Sequence, residues 1–553
     1  MNKRKRLNFR QVASFVTVFA LVFSLAGCAG TAGTGTSAAA STAGTASTAA
    51  TKEKIVNIGV TDSLGTLNPL LQDGGELNKY ATAFLFLPLV DLDNNLKFAG
   101  QLAESITTTD NITFTVKIEK NATWSDGKPI TADDVIFTVL RLTSKEVGNT
   151  TMAGYAQIVG FSDEGFSPEG GKSAAGLVKV DDKTVQFVSK QKMSLATFEN
   201  SFARYILTLP KHVLESVPLT GLATDKFFNN PTVVSGPFKL VSFDKDHFIS
   251  YVANKSYFKG APIIDKLNIK IVQGSQLYAG LQSGEIDFVQ QTTGVIPQED
   301  YASVQALDKV KPTLEKPLTN QLMFINNRII SDVRVRQAIS YAINRKQIVA
   351  DLLKGNGEVA EGFLTSLSPY FDSSITPNEY NPEKAKALVK AAGWDSSKEL
   401  NFLVNAGDST FVQAASIIAA NLAEVGIKVK ITTVDFATLM NDVTAEKFDI
   451  YAVQYTIAPV DPYPDVQWLI SGKNHIGYAN TEVDKLLSKT QTTNDNAEIK
   501  SIYSSIDTTV QKDVPLYSVY VIRALGAASK RLVNAEPHTY GSFLNINKWD
   551  VTQ

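Results

Sequence analysis

Ala122-Thr-Trp-Ser-Asp-Gly-Lys-Pro-Ile-Thr-Ala-Asp-Asp-Val135 carries two consecutive local signals. Trp124 to Pro129 reads as a tight turn, with Asp126-Gly127 at its tip and Pro129 setting the exit. Thr131 then caps a helix. Asp133 and Asp134 fill its first turn, and Val135, Phe137, Val139 and Leu140 supply its apolar side. Just upstream, Ile112-Thr-Phe-Thr-Val-Lys-Ile118 alternates with the period of a strand. Trp124, flanked by a strand and a helix, is expected to pack in a core rather than to face a ligand.

The same alternation continues in both directions. Lys54-Ile-Val-Asn-Ile-Gly-Val60 reads as a buried strand. Asn381-Pro-Glu-Lys-Ala-Lys-Ala-Leu-Val-Lys-Ala-Ala-Gly393 is a complete helix, with an Asn cap, Pro at its first position and Gly at its stop. Asp332, Arg334 and Arg336 open another, whose stripe is Ala338, Ile339, Ala342 and Ile343. The chain is therefore α/β, with some antiparallel sheet. From Lys52 onward there is room for two or three domains.

The N-terminus is of another kind. Lys3, Arg4, Lys5, Arg6 and Arg10 precede an apolar run from Val12 to Ala26. That run is shorter than the roughly 20 residues of a spanning helix, and it matches a secretory signal peptide over 1–27. Leu25-Ala-Gly-Cys28 contains the only cysteine of the chain and resembles a bacterial lipobox, which implies lipidation at Cys28. Residues 29–51 are nearly all Ala, Thr, Gly and Ser, the composition of a flexible linker with a reach of about 25 Å. An extracytoplasmic protein, lipid-anchored to the cell membrane of a Gram-positive cell, is expected. Without the signal segment the chain has 48 basic and 55 acidic residues, a balance that argues against a nucleic-acid partner. With one cysteine there is no disulfide framework.

No catalytic set stands out. His212, His247, His475 and His538 are widely separated, and no Gly-x-Ser-x-Gly or His-Glu-x-x-His occurs. Five residues separate Gly165 from Gly171 where a phosphate loop requires four, and no apolar strand feeds Gly170-Gly-Lys-Ser173. No catalytic residue, cofactor or metal site is assigned, and the chemistry points to binding.

Several segments, in order, resemble the peptide/nickel-type (family 5) extracellular solute-binding proteins of ABC transporters. They are Gln101-Leu-Ala-Glu-Ser-Ile106, the opening segment 122–135, Ser235-Gly-Pro-Phe238, Gln282-Ser-Gly-Glu-Ile-Asp287, the helix from Asp332 to Arg345, and Ala391-Ala-Gly-Trp394. The resemblance implies a two-lobed, type II periplasmic-binding-protein-like clamp with an extra inserted domain. The N-terminal lobe would take 52–88, 200–315 and 520–553, the insertion 89–199 and the C-terminal lobe 316–519. It further implies capture of short peptides, or of another small ligand such as a nickel chelate, an oligosaccharide or a metabolite. Delivery would be to ABC permease subunits driven by cytoplasmic ATPases, by a monomer. A surface enzyme or adhesin is the remote alternative.

The resemblance also places a ligand site. In Leu67-Asn-Pro-Leu-Leu-Gln-Asp-Gly-Gly-Glu76 it assigns Asp73, Gly74 and Gly75 as backbone partners, the glycines allowing another chain to approach. The facing wall is Gln454-Tyr-Thr-Ile-Ala-Pro-Val-Asp-Pro462, from which Gln454, Tyr455, Thr456, Ala458 and Asp461 are assigned. Tyr455 serves as the aromatic. Ala458 stands where peptide binders carry an Asp for the ligand's amino terminus. Either Asp461 or Asp73 takes that role, or the ligand lacks a free amine. Tyr517, in Val514-Pro-Leu-Tyr517, completes the set as a pocket aromatic.

Overall fold

The opening segment folds as its residues dictate. Trp124 donates its N–H to the Lys128 carbonyl (2.8 Å), and Gly127 takes φ +88°, a conformation that favours glycine at the turn tip. The Asp134 carboxylate reaches back to accept the Thr131 N–H (2.8 Å), closing the start of the helix Ala132–Leu142. The Trp124 side chain is fully buried. In the computed structural model the described residues are 52–72, 75–149, 152–406, 408–472 and 474–552. Signal segment 1–27, Cys28, linker 29–51, Asp73 and Gly74 lie outside them. Among the described residues no helix is long and apolar enough to cross a membrane.

Residues Glu53–Gln553 form one body built on three main sheets. In the seven-stranded sheet, Ile55–Val60 is central, parallel to Lys266–Ile271 and to Phe288–Val289. Phe238–Asp244, Phe248–Ala253, Val310–Leu314 and Leu525–Ser529 complete it with antiparallel pairs. The six-stranded sheet joins Thr319–Ile325, Gly357–Glu358, Glu399–Asn405, Lys428–Val434, Ile450–Thr456 and Leu516–Ile522. Within it Glu399–Asn405 runs parallel to both Lys428–Val434 and Ile450–Thr456. Residues 103–188 contribute a separate four-stranded antiparallel sheet.

Packing explains why these pieces hold together. One apolar cluster runs from Val56 and Ile58 of the first sheet to Phe114, Trp124 and Phe187 of the four-stranded one, so these two share a core. The six-stranded sheet is covered on both faces. Met323, Phe402 and Phe411 mark one cluster, and Phe324, Tyr451 and Tyr503 the other. Where both faces are buried, as along Leu516–Ile522, the strand reads as a near-continuous apolar run. Helix Pro382–Ala392 is capped by Asn381, which accepts the Lys384 N–H (2.9 Å), and ends at Gly393 with φ +64°.

The chain passes between the two large sheets twice, at 315–318 and at 523–524. These passages are tied side by side: Glu315 N–H donates to the Ala524 carbonyl (3.2 Å), and Arg523 Nε to the Glu315 carbonyl (3.1 Å). The boundary expected at 519/520 thus falls inside the strand Leu516–Ile522, which stays paired with Thr319–Ile325 as far as Ile522. Ladder hydrogen bonds, rather than a break in composition, set where the chain leaves the sheet.

Candidate functional site

The parallel strands Glu399–Asn405 and Ile450–Thr456 end on the side where both passages leave the six-stranded sheet. Carboxyl ends of strands in an open α/β sheet are where such folds bind ligands. Thr456 closes this end beside Thr319, their hydroxyls 3.1 Å apart. The loop 457–462 follows, then the helix Tyr463–Ile470.

Asp465, in that helix's first turn, organises the loop. One of its oxygens accepts the Ala458 N–H (2.9 Å), the other the Tyr455 hydroxyl (3.2 Å). Burial raises the pKa of Asp465 against the pull of these two donors, and burial raises the Tyr455 hydroxyl as well. The Tyr455 ring lies parallel to Trp468 (centroids 5.6 Å, 7°), and Trp468 in turn stacks on His475 (4.4 Å). Burial, with Arg328 nearby, lowers His475 to about 4, so at neutral pH it is an uncharged ring in an aromatic ladder. Tyr455 is thus held on two sides, which limits the rotamer entropy that ligand contact would cost.

A cavity of about 830 Å³ lies beside this loop. One wall is the segment Asn94–Phe98 with Ser194–Ala196 and Glu199, and the other is Ser366–Tyr370 with Val460, Asn494, Asn496 and Ile499. Glu315 and Lys316, from the first passage, also line it. Its volume lies in the range of small-ligand sites. Burial pushes the Glu199 carboxyl up to about 7.

Asp461 sits elsewhere. It is buried, and its Oδ1 accepts the Thr197 hydroxyl (2.9 Å). Burial, with neighbouring Asp465, pushes its pKa up to about 7. The same Thr197 hydroxyl lies 3.1 Å from Gln491 Oε1, Leu195 N–H donates to Asn494 Oδ1 (3.0 Å), and Asn494 Nδ2 donates to Asn111 Oδ1 (2.8 Å). These bonds form a polar clasp between the segment 111–197 and the segment 461–494. Asp461 belongs to the clasp rather than to the wall of the large cavity.

The remaining assigned residues divide. Gln454 is exposed and donates its amide to Asp408 Oδ2 (3.0 Å). Gly75 caps the helix Glu76–Ala83 with φ −66°, so its backbone angle does not require glycine. Tyr517 is a correction. Its ring is 2 % exposed within the core, its hydroxyl donates to the Ser340 carbonyl (2.8 Å), and Arg345 lies 4.5 Å over the ring. It stands at the start of Leu516–Ile522, the end remote from the passage, and so faces a helix instead of a pocket. Trp468, Asp465 and the segment 366–370 escaped sequence reasoning. Asp465 alone left a signal, an acid in the first turn of a helix. Among the described residues no group of three or more His, Cys, Asp or Glu is placed to hold a metal ion.

Residues 97–476 match the model of the bacterial extracellular solute-binding proteins, family 5 Middle. The chain belongs to this family. Its relatives include the oligopeptide-binding protein AppA of Bacillus subtilis, 27 % identical over 489 residues, 84 % of this chain and 86 % of AppA. The dipeptide-binding protein of Escherichia coli is 27 % identical over 431 residues, 73 % of this chain and 77 % of that protein. Among solved structures, CtaP from Listeria monocytogenes superposes with a TM-score of 0.76 at 25 % identity, covering 91 % of this chain and all of CtaP. The type II binding-protein fold is thereby shown, as is a role in binding rather than catalysis. Family 5 members are extracytoplasmic solute-binding proteins of ABC transporters.

Proposed function

We propose that this family 5 protein captures short peptides between two lobes and delivers them to an ABC permease, tethered to the membrane by lipid at Cys28. The lobes are the seven-stranded sheet with its inserted domain 89–199, and the six-stranded sheet, pivoting at 315–318 and 523–524. The observation carrying this reading is the cavity of about 830 Å³ whose walls come from both sides of the passages. Hinge closure about two short connections is an established way to bury a ligand. The names of its relatives, oligopeptide- and dipeptide-binding, support peptide as the cargo. Tyr455, Thr456 and the segment around Asp73–Gly75 are the contacts proposed for it.

A second reading rests on one observation. Ala458 has no carboxylate, and Asp461 is buried in the clasp and does not line the large cavity, so this loop presents no acid there for a ligand's ammonium. An uncompensated buried ammonium is costly. A ligand without a free amine, such as a chelate, an oligosaccharide or another metabolite, satisfies that wall equally well. Native mass spectrometry of the protein purified without refolding separates the two. Retained masses that fragment as peptides support the first reading, and a non-peptide mass replaces it with the second.

A further inference from the structure

The polar clasp joins the two lobes proposed above. Ser194 and Thr197 come from the end of the inserted domain, and Asp461 and Gln491 from the side of the six-stranded sheet. All four side chains are buried. Ser194, Leu195, Ala196 and Val460 also line the large cavity, so the clasp is a seam in its wall. Asp461 is covered by Thr197 of the opposite lobe, and opening the lobes would return its carboxyl to water.

The clasp holds too few hydrogens for an ionised Asp461. The Thr197 hydroxyl has one hydrogen and faces two acceptors, Asp461 Oδ1 at 2.9 Å and Gln491 Oε1 at 3.1 Å. Gln491 Oε1 also accepts the Ser194 N–H (3.4 Å), which fixes that atom as the amide oxygen. The Ser194 hydroxyl accepts the Thr197 N–H (3.0 Å) and lies 2.9 Å from Thr197 Oγ1. With Asp461 ionised, Thr197 serves one acceptor and turns a lone pair to the other. A protonated Asp461 removes the conflict: its O–H donates to Thr197 Oγ1, and Thr197 donates to Gln491 Oε1. Asp461 Oδ2 is buried without a hydrogen-bond partner, a setting that suits a carbonyl oxygen better than half of a carboxylate charge.

The other neighbours point the same way. The helix Tyr463–Ile470 brings Asp465 and Tyr463 to Asp461, the segment 366–370 brings Tyr370, and the helix Asn496–Asp513 brings Tyr503. These are acids and phenols. From the first lobe come Asn200 and, two residues from Thr197, Glu199. Asp461 pairs with no cation among the described residues. A gap of about 10 Å³ beside Asp461, Tyr370, Gln491 and Tyr503 leaves room for at most one water. Burial and Asp465 raise the carboxyl to about 7, the direction the hydrogen count requires; Asn200 and the Tyr463 N–H oppose the shift without cancelling it.

We propose that the closed lobes bind a proton at Asp461, so that closure and proton uptake are coupled. On closure one proton passes from bulk water to the carboxyl, and on opening it returns. The proposal rests on closure between the lobes and not on the identity of the cargo. In the open form the carboxyl has the ordinary 3.8, and in the closed form about 7. Closure is therefore favoured in acid and grows costlier as pH rises past 7. Opening is the route by which an ionised Asp461 escapes burial.

The proton is the only ligand the test needs. Spin labels at Asn95→Cys and Lys500→Cys, in the full chain with Cys28→Ser, read closure by double electron–electron resonance. Between pH 6 and pH 9 the ratio of closed to open protein should fall roughly tenfold or more. Asp461→Asn, neutral at every pH, should hold that ratio within about twofold. Glu199→Gln removes the neighbouring carboxyl that burial also raises to about 7, and it should keep the wild-type response. A wild-type ratio unchanged across this range, or a full response surviving in Asp461→Asn, overturns the coupling. Saturating penta-alanine supplies the comparison. A distance that penta-alanine shortens and pH leaves alone overturns the coupling only, and one that neither moves overturns closure with it.

Discussion

Replacing Asp461 by Asn should stabilise the protein at pH 8 and leave it nearly unchanged at pH 4. Burial raises the folded-state pKa of this carboxyl from the ordinary 3.8 to about 7. Between those values the folded protein holds a proton that the unfolded chain has released. The stability contributed at this site is therefore full below about pH 4, falls as pH rises, and is lost once pH passes about 7. A shift of that size corresponds to a ceiling of about 4 kcal/mol, which relaxation around the site reduces to about 2–4 kcal/mol. Asn keeps an oxygen for the Thr197 hydroxyl and carries no charge, so it escapes the cost. A body of this length has an unfolding entropy of ~1 kcal/mol per degree, which converts the gain to about 2–4 °C. Differential scanning calorimetry of both proteins, without ligand, at pH 4 and pH 8 reads it. Glu199 is also raised by burial, but it is present in both proteins and cancels in the difference. An Asn variant that is equally shifted at both pH values, or less stable at pH 8, would refute the reasoning.

Other substitutions probe other parts. Tyr455→Ala removes the ring held by Trp468 and Asp465 and should weaken ligand binding roughly tenfold to a hundredfold; Tyr455→Phe should stay within a few-fold, and titration calorimetry showing unchanged affinity for Ala would take Tyr455 out of the site. Tyr517→Phe breaks the buried hydrogen bond to the Ser340 carbonyl and should cost about 1 kcal/mol in chemical denaturation with no change in affinity; a loss of affinity would return Tyr517 to the site. Arg345→Met strands Glu361, whose carboxylate it meets at 2.7 Å in the interior, and should destabilise by about 3–5 kcal/mol, seen as a lower denaturation midpoint.

What could be read from the sequence was local. The turn at 124–129, the Thr131 and Asn381 caps and the strand at 112–118 depend on neighbours a few residues away, and they form as expected. The core position of Trp124 followed from its flanks. The clasp was not legible, because Asp461 meets Thr197 across 264 positions of chain. Tyr517 misled because a strand buried on both faces gives no alternation to say which side chains face a pocket. The end of that strand is illegible for the same reason: pairing to Ile522, and no change in residue type, decides where it stops. Phe436 and Trp468 look like ordinary helix residues until their exposure is seen.

The most direct test of capture by closure is a distance across the large cavity. Spin labels at Asn95→Cys and Lys500→Cys, in a Cys28→Ser background, report it by double electron–electron resonance. Saturating peptide should shorten and narrow the distribution, and the peptide recovered afterwards should be intact by mass. A distribution unmoved by a peptide that demonstrably binds, or a peptide recovered cleaved, would contradict the account.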